Sequence, residues 1–420
     1  MSTLLIFLLL PTLLIDDIFI KSCTFLAITL LFGLVSFKKS PKIHDPRVLF
    51  VPLLGVYSTF YSMQKTLIPN LILPLDMAAL NYALNLSVIF AFVFAFVVEI
   101  ISKNSHVFNF EAEAIRTSDK LFLLSILCIS LTLFVFIYTQ GGQSKREIYS
   151  IYGSLQSFTL FFGTFLLIKM LAAKSIEILS IPTILIFFLS ILSILIQGER
   201  DVMFRLALLL VILFFLNNGK FKISVYFMLI GTIVLIVPVS QFFKGILSYS
   251  SLSSFNIGLD LILSNEFISA GRNLYATVLY SSPGENSWFF VSDIVRGILP
   301  SAFIGFDIES ATKWYNTEFR ESYNFSGTSG WGFSFIAQGY IIGGIWGVIL
   351  FAALLAFALI FLYNKSHKSL NFFVFYLFFL VAAIYAIRAD LATVLSLGVK
   401  LPLMSMFIIS LFRLFFPKVK

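Results

Sequence analysis

The sequence predicts an all-α, polytopic membrane protein with about 12 transmembrane helices and one large outer loop. Hydrophobic residues make up 59% of the 420-residue chain and charged residues only 12%, whereas soluble domains carry about 25% charged residues. The mean hydropathy is +0.98, and apolar segments recur with short polar interruptions. A chain this apolar must place most of its surface in lipid. We therefore interpret the net charge of +8 as a topology signal and expect membrane lipid, not nucleic acid, around the protein.

Twelve segments are candidate spans, although several are shorter than the ~20 residues of a perpendicular transmembrane helix. The first, MSTLLIFLLLPTLLI, has no basic n-region and no small-residue cleavage site, so we expect a retained span and not a signal peptide. The predicted spans are 1–15, 22–37, 48–63, 78–101, 120–139, 155–173, 178–196, 203–216, 223–243, 332–362, 370–387 and 396–415.

Short lysine-rich loops predict the orientation. With twelve alternating spans, the basic loops at 38–47, 217–222 and 364–368 and the C-terminal PKVK all fall on one side. Positive loops favour the cytoplasmic side, so both termini should be cytoplasmic. Most arginines fall on the opposite face, against this bias, and therefore need another explanation. They are Arg146, Arg200, Arg205, Arg272, Arg296, Arg320 and Arg388.

The largest loop, 244–331, belongs to a single transmembrane domain that covers 1–420. It contains two amphipathic segments, 258–281 and 288–303, in which charges interrupt apolar faces. Such segments are typical of helices that lie at the membrane interface or dip back into the protein. After the loop, Gly339, Gly343 and Gly347 repeat every four residues and predict close helix packing.

Four polar elements on the outer face are candidate site elements. The turn QGERDVMFR places Glu199 and Arg200 between two apolar spans, while Asp201 can pair with Arg205 four residues later. Arg272 stands in an apolar helical context, Arg388 ends a span, and Arg146 lies in the polar turn 141–154. Ionisable groups at membrane depth are costly and usually face a protein-lined cavity. Cys23 and Cys128 both lie in apolar stretches and predict neither a disulfide framework nor a metal site.

The layout resembles the bacterial O-antigen polymerase (Wzy) family. The likeness covers most of the chain by architecture, with short motifs: GERD before a short span, GRNLY in the loop, GTSGWGFSFIAQGYIIGGIWG after it, and RAD near the end. Gln338 stands where the resemblance leads us to expect an acidic residue, so no carboxylate role is expected there.

The resemblance implies a function and a fold. Such enzymes adopt the C-type glycosyltransferase fold and join oligosaccharide repeat units carried on polyprenyl diphosphate at the periplasmic face of the inner membrane. A protein that regulates chain length is a possible further partner, and no cofactor is expected. Arginine forks suit diphosphate, so Arg146, Arg200, Arg272 and Arg388 are the predicted diphosphate ligands. Glu199 or Asp201 is the predicted general base. Tyr275, Trp288, Trp314 and Trp331 are candidates for stacking on sugars.

Two other functions stay open. An O-antigen ligase would resemble this layout but would use a histidine in the large outer loop, whereas His44, His106 and His367 fall in predicted cytoplasmic loops. A lipid-linked oligosaccharide flippase or transporter would suit twelve spans. The sequence shows neither the two related halves nor the interrupted helices that are typical of transporters.

Overall fold

In the residues that the computed structural model describes, the regular secondary structure is all helical and there is no strand. The described residues are 2–40, 42–69, 73–102, 117–139, 157–165, 266–299, 309–322 and 332–415, with scattered helical positions between 168 and 212. The helices are α1 Ser2–Phe7, α2 Leu9–Thr12, α3 Ile18–Lys39, α4 Pro46–Leu67, α5 Met77–Ile101, α6 Thr117–Thr139, α7 Glu266–Tyr280, α8 Phe289–Ile298, α9 Ala311–Ser322, α10 Phe335–Ser366, α11 Leu370–Ala386, α12 Leu391–Leu395 and α13 Leu401–Phe415, with a π-helical turn Ser396–Lys400 between the last two.

Among the described residues, four helical stretches are long and apolar enough to cross a membrane, and they confirm a membrane α-helical protein. They are Ile18–Lys39, Met77–Ile101, Phe335–Ser366 and Leu391–Phe412. Shorter apolar helices occupy Ser2–Thr12, Leu123–Phe136 and Leu370–Ala386. The predicted spans at 178–196, 203–216 and 223–243 lie wholly or largely outside the described residues, so the number twelve stays a prediction.

The ends of the first helices meet in an ionic cluster. Glu99 at the end of α5 accepts a hydrogen bond from Ser2 Oγ at 2.5 Å and pairs with Lys39 Nζ at 3.0 Å and Arg47 Nη1 at 3.3 Å. Arg47 also pairs with Asp45 at 2.6 Å. Helices α1, α3, α4 and α5 therefore alternate in direction, as the span pattern predicts. The side of the membrane that this end faces stays a prediction from the lysines.

The opposite end receives the helices of the large loop. Helix α7 packs on α4, where a Cβ on Gly271 would lie 3.0 Å from Tyr61 Cβ. The hydroxyl of Tyr275 donates to Pro74 O at 2.6 Å and accepts from Asp76 N at 2.8 Å, which fixes α7 to the loop before α5. The described part of the first amphipathic segment thus packs back onto the bundle, one of the two arrangements that the sequence favours.

Helix α10 is interrupted, which corrects the single predicted span at 332–362. The backbone leaves helical geometry at Gly343 and Gly344, and Gly344 has a φ of +59° that favours glycine. In a continuous helix Phe335 and Phe351 would lie about 24 Å apart. Their ring centroids are instead 4.7 Å apart. The half-helix 335–342 therefore folds back against 345–366, and the latter alone is about 33 Å long, enough to cross the hydrocarbon core.

The glycine repeat serves this fold-back and not the packing of two separate helices. A Cβ on Gly347 would lie 2.0 Å from Gly339 O, so both positions need glycine for the two arms to touch. The turn before α8 closes the break, because Gly284 N donates to Tyr340 O at 3.1 Å and Asn286 N to Ile341 O at 2.9 Å. Those carbonyls lack helical partners at the end of the half-helix.

Candidate functional site

Arg272 and Arg388 lie at the same end of the bundle, and the charge of Arg388 acts on the pKa of Arg272. Arg272 is half-buried on α7, and Arg388 follows α11 with 8% of its surface exposed. Burial is the main cause that lowers the pKa of Arg272; Arg388 lowers it further, while Tyr315 and Tyr61 oppose the shift. Arginine nevertheless stays protonated in proteins. Two positive charges from segments 116 positions apart in the sequence therefore lie at the end of the bundle that binds the loop helices.

Asn273 joins the surroundings of the two arginines. Its Oδ1 accepts hydrogen bonds from Tyr315 OH at 3.1 Å and from Arg272 Nε at 3.3 Å. Its Nδ2 donates to Phe333 O at 3.4 Å, and Phe333 N donates to Arg388 O at 3.0 Å. A short series of bonds thus connects the Arg272 side chain to the Arg388 backbone through the segment that precedes the half-helix.

A third arginine approaches the same place. The guanidinium carbon of Arg205 lies 5.3 Å from the centroid of the Tyr385 ring, and that of Arg388 lies 5.7 Å from the same ring. Both distances suit a cation–π contact. The sequence predicts that Arg205 pairs with Asp201, which lies outside the described residues. The structure adds Tyr385 as a contact of Arg205 and places this arginine beside Arg388.

A buried carboxyl group, Asp293 on α8, lies at the same end of the bundle. It has no exposed surface, and its Oδ2 accepts from Gln338 Nε2 at 2.7 Å while its Oδ1 accepts from Ala311 N at 3.3 Å. Burial is the main cause that raises the pKa of Asp293 to about 8, and Asp390 raises it further. The bonds from Gln338 and Ala311, and the charge of Arg296, act in the opposite direction.

Asp390 is a second buried carboxyl at this end of the bundle, and it caps two helices. Its Oδ1 accepts from Thr393 N at 2.8 Å and Thr393 Oγ1 at 2.5 Å, which caps α12. Its Oδ2 accepts from Thr312 N at 3.3 Å in the first turn of α9. Asp293 bonds the neighbouring amide of that turn, so both carboxyls contact the N-terminus of α9, where negative charge is stabilised.

Four predicted site residues, Arg146, Glu199, Arg200 and Asp201, lie outside the described residues, so their roles stay predictions. The chain matches no protein-family model, no curated protein and no solved structure. The functional argument therefore rests on the site itself. Within the described ranges, no group of three or more histidine, cysteine or acidic side chains is arranged to hold a metal ion.

The structure places the aromatic candidates for sugar stacking in different environments. Tyr275 is fully buried and its hydroxyl bonds the loop before α5, so the prediction that it stacks on sugars is wrong. Trp314 is half-buried against Phe289, with ring centroids 5.6 Å apart, whereas Trp288 is 67% exposed. Trp288 is the one of these three side chains that is open to a sugar. Trp331 lies outside the described residues.

Sequence reasoning did not find Asp293 or the role of Gln338. Asp293 is one acid on an amphipathic helix, a pattern that usually indicates a solvated face. The signal lay in the wider context, because Asp293 is part of the largely apolar stretch FFVSDIVRGIL, just as Arg272 is part of ISAGRNLYAT. Gln338 follows an apolar run, and its two partners come from distant segments.

Proposed function

We propose that the protein is a membrane glycosyltransferase that polymerises polyprenyl-diphosphate-linked oligosaccharide repeat units. The product would be O-antigen or a related surface polysaccharide, made at the periplasmic face of the inner membrane. One observation supports this most: Arg272 is linked to Arg388 through Asn273 and Phe333, and Arg205 shares the Tyr385 ring with Arg388, at the end of the bundle that also holds the folded-back half-helix. One buried and two half-buried arginines at one end of a membrane protein favour a site for anions, and a diphosphate suits more than one guanidinium fork.

The proposed reaction depends on neutralising the negative charge of the leaving group more than on a metal or cofactor. The bond between the sugar C1 of the growing chain and its lipid diphosphate breaks, and the acceptor hydroxyl oxygen forms the new bond to C1. The hydroxyl proton passes to a carboxylate, for which Glu199 and Asp201 remain the candidates. The leaving diphosphate keeps the bonding electrons, and fixed guanidinium groups stabilise that charge. Asp293 and Asp390 instead hold helix ends and Gln338.

The test is reconstitution of purified protein in vesicles with a lipid-linked repeat unit, followed by sizing of the saccharide. We expect the wild type to lengthen the chain and Arg272→Ala and Arg388→Ala to leave single repeat units while the protein remains at normal abundance. Losing one such charge contact in a water-poor site costs roughly 10²–10³ in rate, by analogy with a lost oxyanion donor. Lys368→Ala is the control, because this exposed cation lies at the opposite end of the bundle and should leave chain length unchanged.

A transporter of the same lipid-linked saccharide is the second candidate, and the interruption of α10 favours it. Interrupted helices are common at the binding sites of transporters, and the sequence alone indicated none. Saccharide that crosses the vesicle membrane at unchanged length would establish the transporter and contradict the polymerase.

The ligase has less support. His44 and His367 lie with Tyr363 at the end of the bundle opposite to Arg388, far from the loop helices. His106 lies outside the described residues. Transfer of the saccharide to a lipid A core, in place of a second repeat unit, would establish the ligase.

A further inference from the structure

The side chain of Gln338 joins three segments that approach the candidate site from different directions. Gln338 is fully buried in the half-helix. Its Nε2 donates to Asp293 Oδ2 on α8 at 2.7 Å, and its Oε1 accepts from Leu391 N at 2.7 Å, three residues after Arg388. The amide group must therefore point its donor at α8 and its acceptor at α12. The backbone N–H of Leu391, which can only donate, fixes that orientation.

The same three segments also hold the backbone of Arg388. Its backbone carbonyl is held by Phe333 N, just before the half-helix, and Leu391 is held by Gln338 within it. A Cβ on Gly332 would lie 2.8 Å from Arg388 O, so the two backbones are in close contact. On the other side, Phe333 O accepts from Asn273, the neighbour of Arg272. A shift of the half-helix would therefore move Arg388 relative to Arg272.

We propose that Gln338 and Asp293 are positioning residues, which act through Arg388 to hold its guanidinium beside Arg272 so that both bind one lipid diphosphate. This inference rests on the proposed function. Neither residue touches the diphosphate in this arrangement, because every side-chain oxygen of Asp293 and both polar atoms of Gln338 are engaged within the protein.

The donor and the acceptor of the hydrogen bond between Gln338 and Asp293 can be exchanged between the two positions without losing any other bond, which gives a test of the proposal. In the double variant Asp293→Asn with Gln338→Glu, the new amide on α8 would donate to the new carboxylate and still accept from Ala311 N, while the carboxylate accepts from Leu391 N. Every bond of the wild type is then restored and the net charge is unchanged. Asp293→Asn alone leaves two donors facing each other, whichever way Gln338 turns. Gln338→Glu alone places two carboxyls at a separation that is 2.7 Å in the wild type.

The measurement is the affinity of the purified full-length protein for farnesyl diphosphate, a short polyprenyl diphosphate, at mildly alkaline pH. Asp293→Asn should bind roughly tenfold more weakly or worse, the effect of breaking a buried charge-assisted hydrogen bond. Gln338→Glu should lose affinity as the pH rises and both carboxyls of the pair ionise. The double variant should recover to within about threefold of the wild type. Ser292→Ala is the matched control, since Ser292 is the buried neighbour of Asp293 on α8 and should bind like the wild type.

A double-mutant cycle separates positioning from a general structural effect. If Asp293 acts through Arg388, Asp293→Asn should weaken binding no further in an Arg388→Ala background. A purely structural role would instead add its full loss to that of Arg388→Ala, and would overturn the proposal. Single variants that bind like the wild type, or a double variant that stays weak while its melting temperature recovers, would also overturn it.

Failure of the proposed function would look different. In that case the wild-type protein itself would show no binding of farnesyl diphosphate, and the positioning role would fall together with the polymerase. Binding by the wild type combined with unaffected single variants would reject only the positioning role.

Discussion

Replacing Gly347 by alanine tests whether the two arms of α10 touch. The added Cβ would lie 2.0 Å from Gly339 O, whereas ordinary van der Waals contact begins at 3.4 Å, so the arms must separate by about 1.4 Å. The obstacle is backbone, which cannot rotate away as a side chain can. Overpacking of this kind costs about 1–3 kcal/mol. We expect Gly347→Ala to lower the melting temperature of the purified protein by a few degrees.

Gly343 provides the matched control within the same helix. A Cβ there meets nothing within 4 Å, and its φ of −158° is open to any residue. Gly343→Ala should therefore melt close to the wild type. In an uninterrupted helix, Gly339 and Gly347 would be about 12 Å apart, and both alanine variants would then be tolerated equally. Equal melting temperatures for the two variants would refute the fold-back.

Two further predictions concern single side chains. Because the pKa of Asp293 is raised to about 8, the folded state retains a proton that the unfolded state has already lost. The melting temperature of the wild type should therefore fall as the pH rises from about 4 to 8, and that of Asp293→Asn should lack this decline. The same pH dependence of the melting temperature in both proteins would contradict the prediction. Tyr275→Phe removes a hydroxyl that has two backbone partners, so it should lower the free energy of unfolding by about 1–3 kcal/mol. The affinity for farnesyl diphosphate should stay unchanged. A loss of affinity without a loss of stability would instead indicate that Tyr275 is part of the binding site.

The sequence predicts individual helices well because apolar length is a local property. The expected span 78–101 corresponds to Met77–Ile101, and 370–387 to Leu370–Ala386. The first expected span, 1–15, is instead two short helices, Ser2–Phe7 and Leu9–Thr12. The fold-back of 335–342 could not be predicted, because the run is apolar on both sides of Gly343 and Gly344 and its direction depends on contacts with other helices.

The residues of the candidate site also differ in whether the sequence alone could identify them. Arg272 and Arg388 could be singled out because a charge in an apolar context is costly wherever its partners lie. Asp293 became visible only when the structure placed Gln338 and Asp390 beside it. Tyr275 shows the opposite error, since an aromatic residue in an outer loop fits sugar stacking and structural anchoring equally well until its hydroxyl partners are known.

The ionic cluster of Ser2, Lys39, Arg47 and Glu99 also bears on the order in which the chain assembles. All of its members are synthesised once residue 99 has left the ribosome, whereas Arg388 follows 289 residues later. At about 5–20 residues per second, that interval is roughly 15–60 s. Helices α1, α3, α4 and α5 can therefore associate early, and α7 arrives at a surface of α4 that is already formed. The arginine site is then a late event of biosynthesis, completed only when the final helices insert.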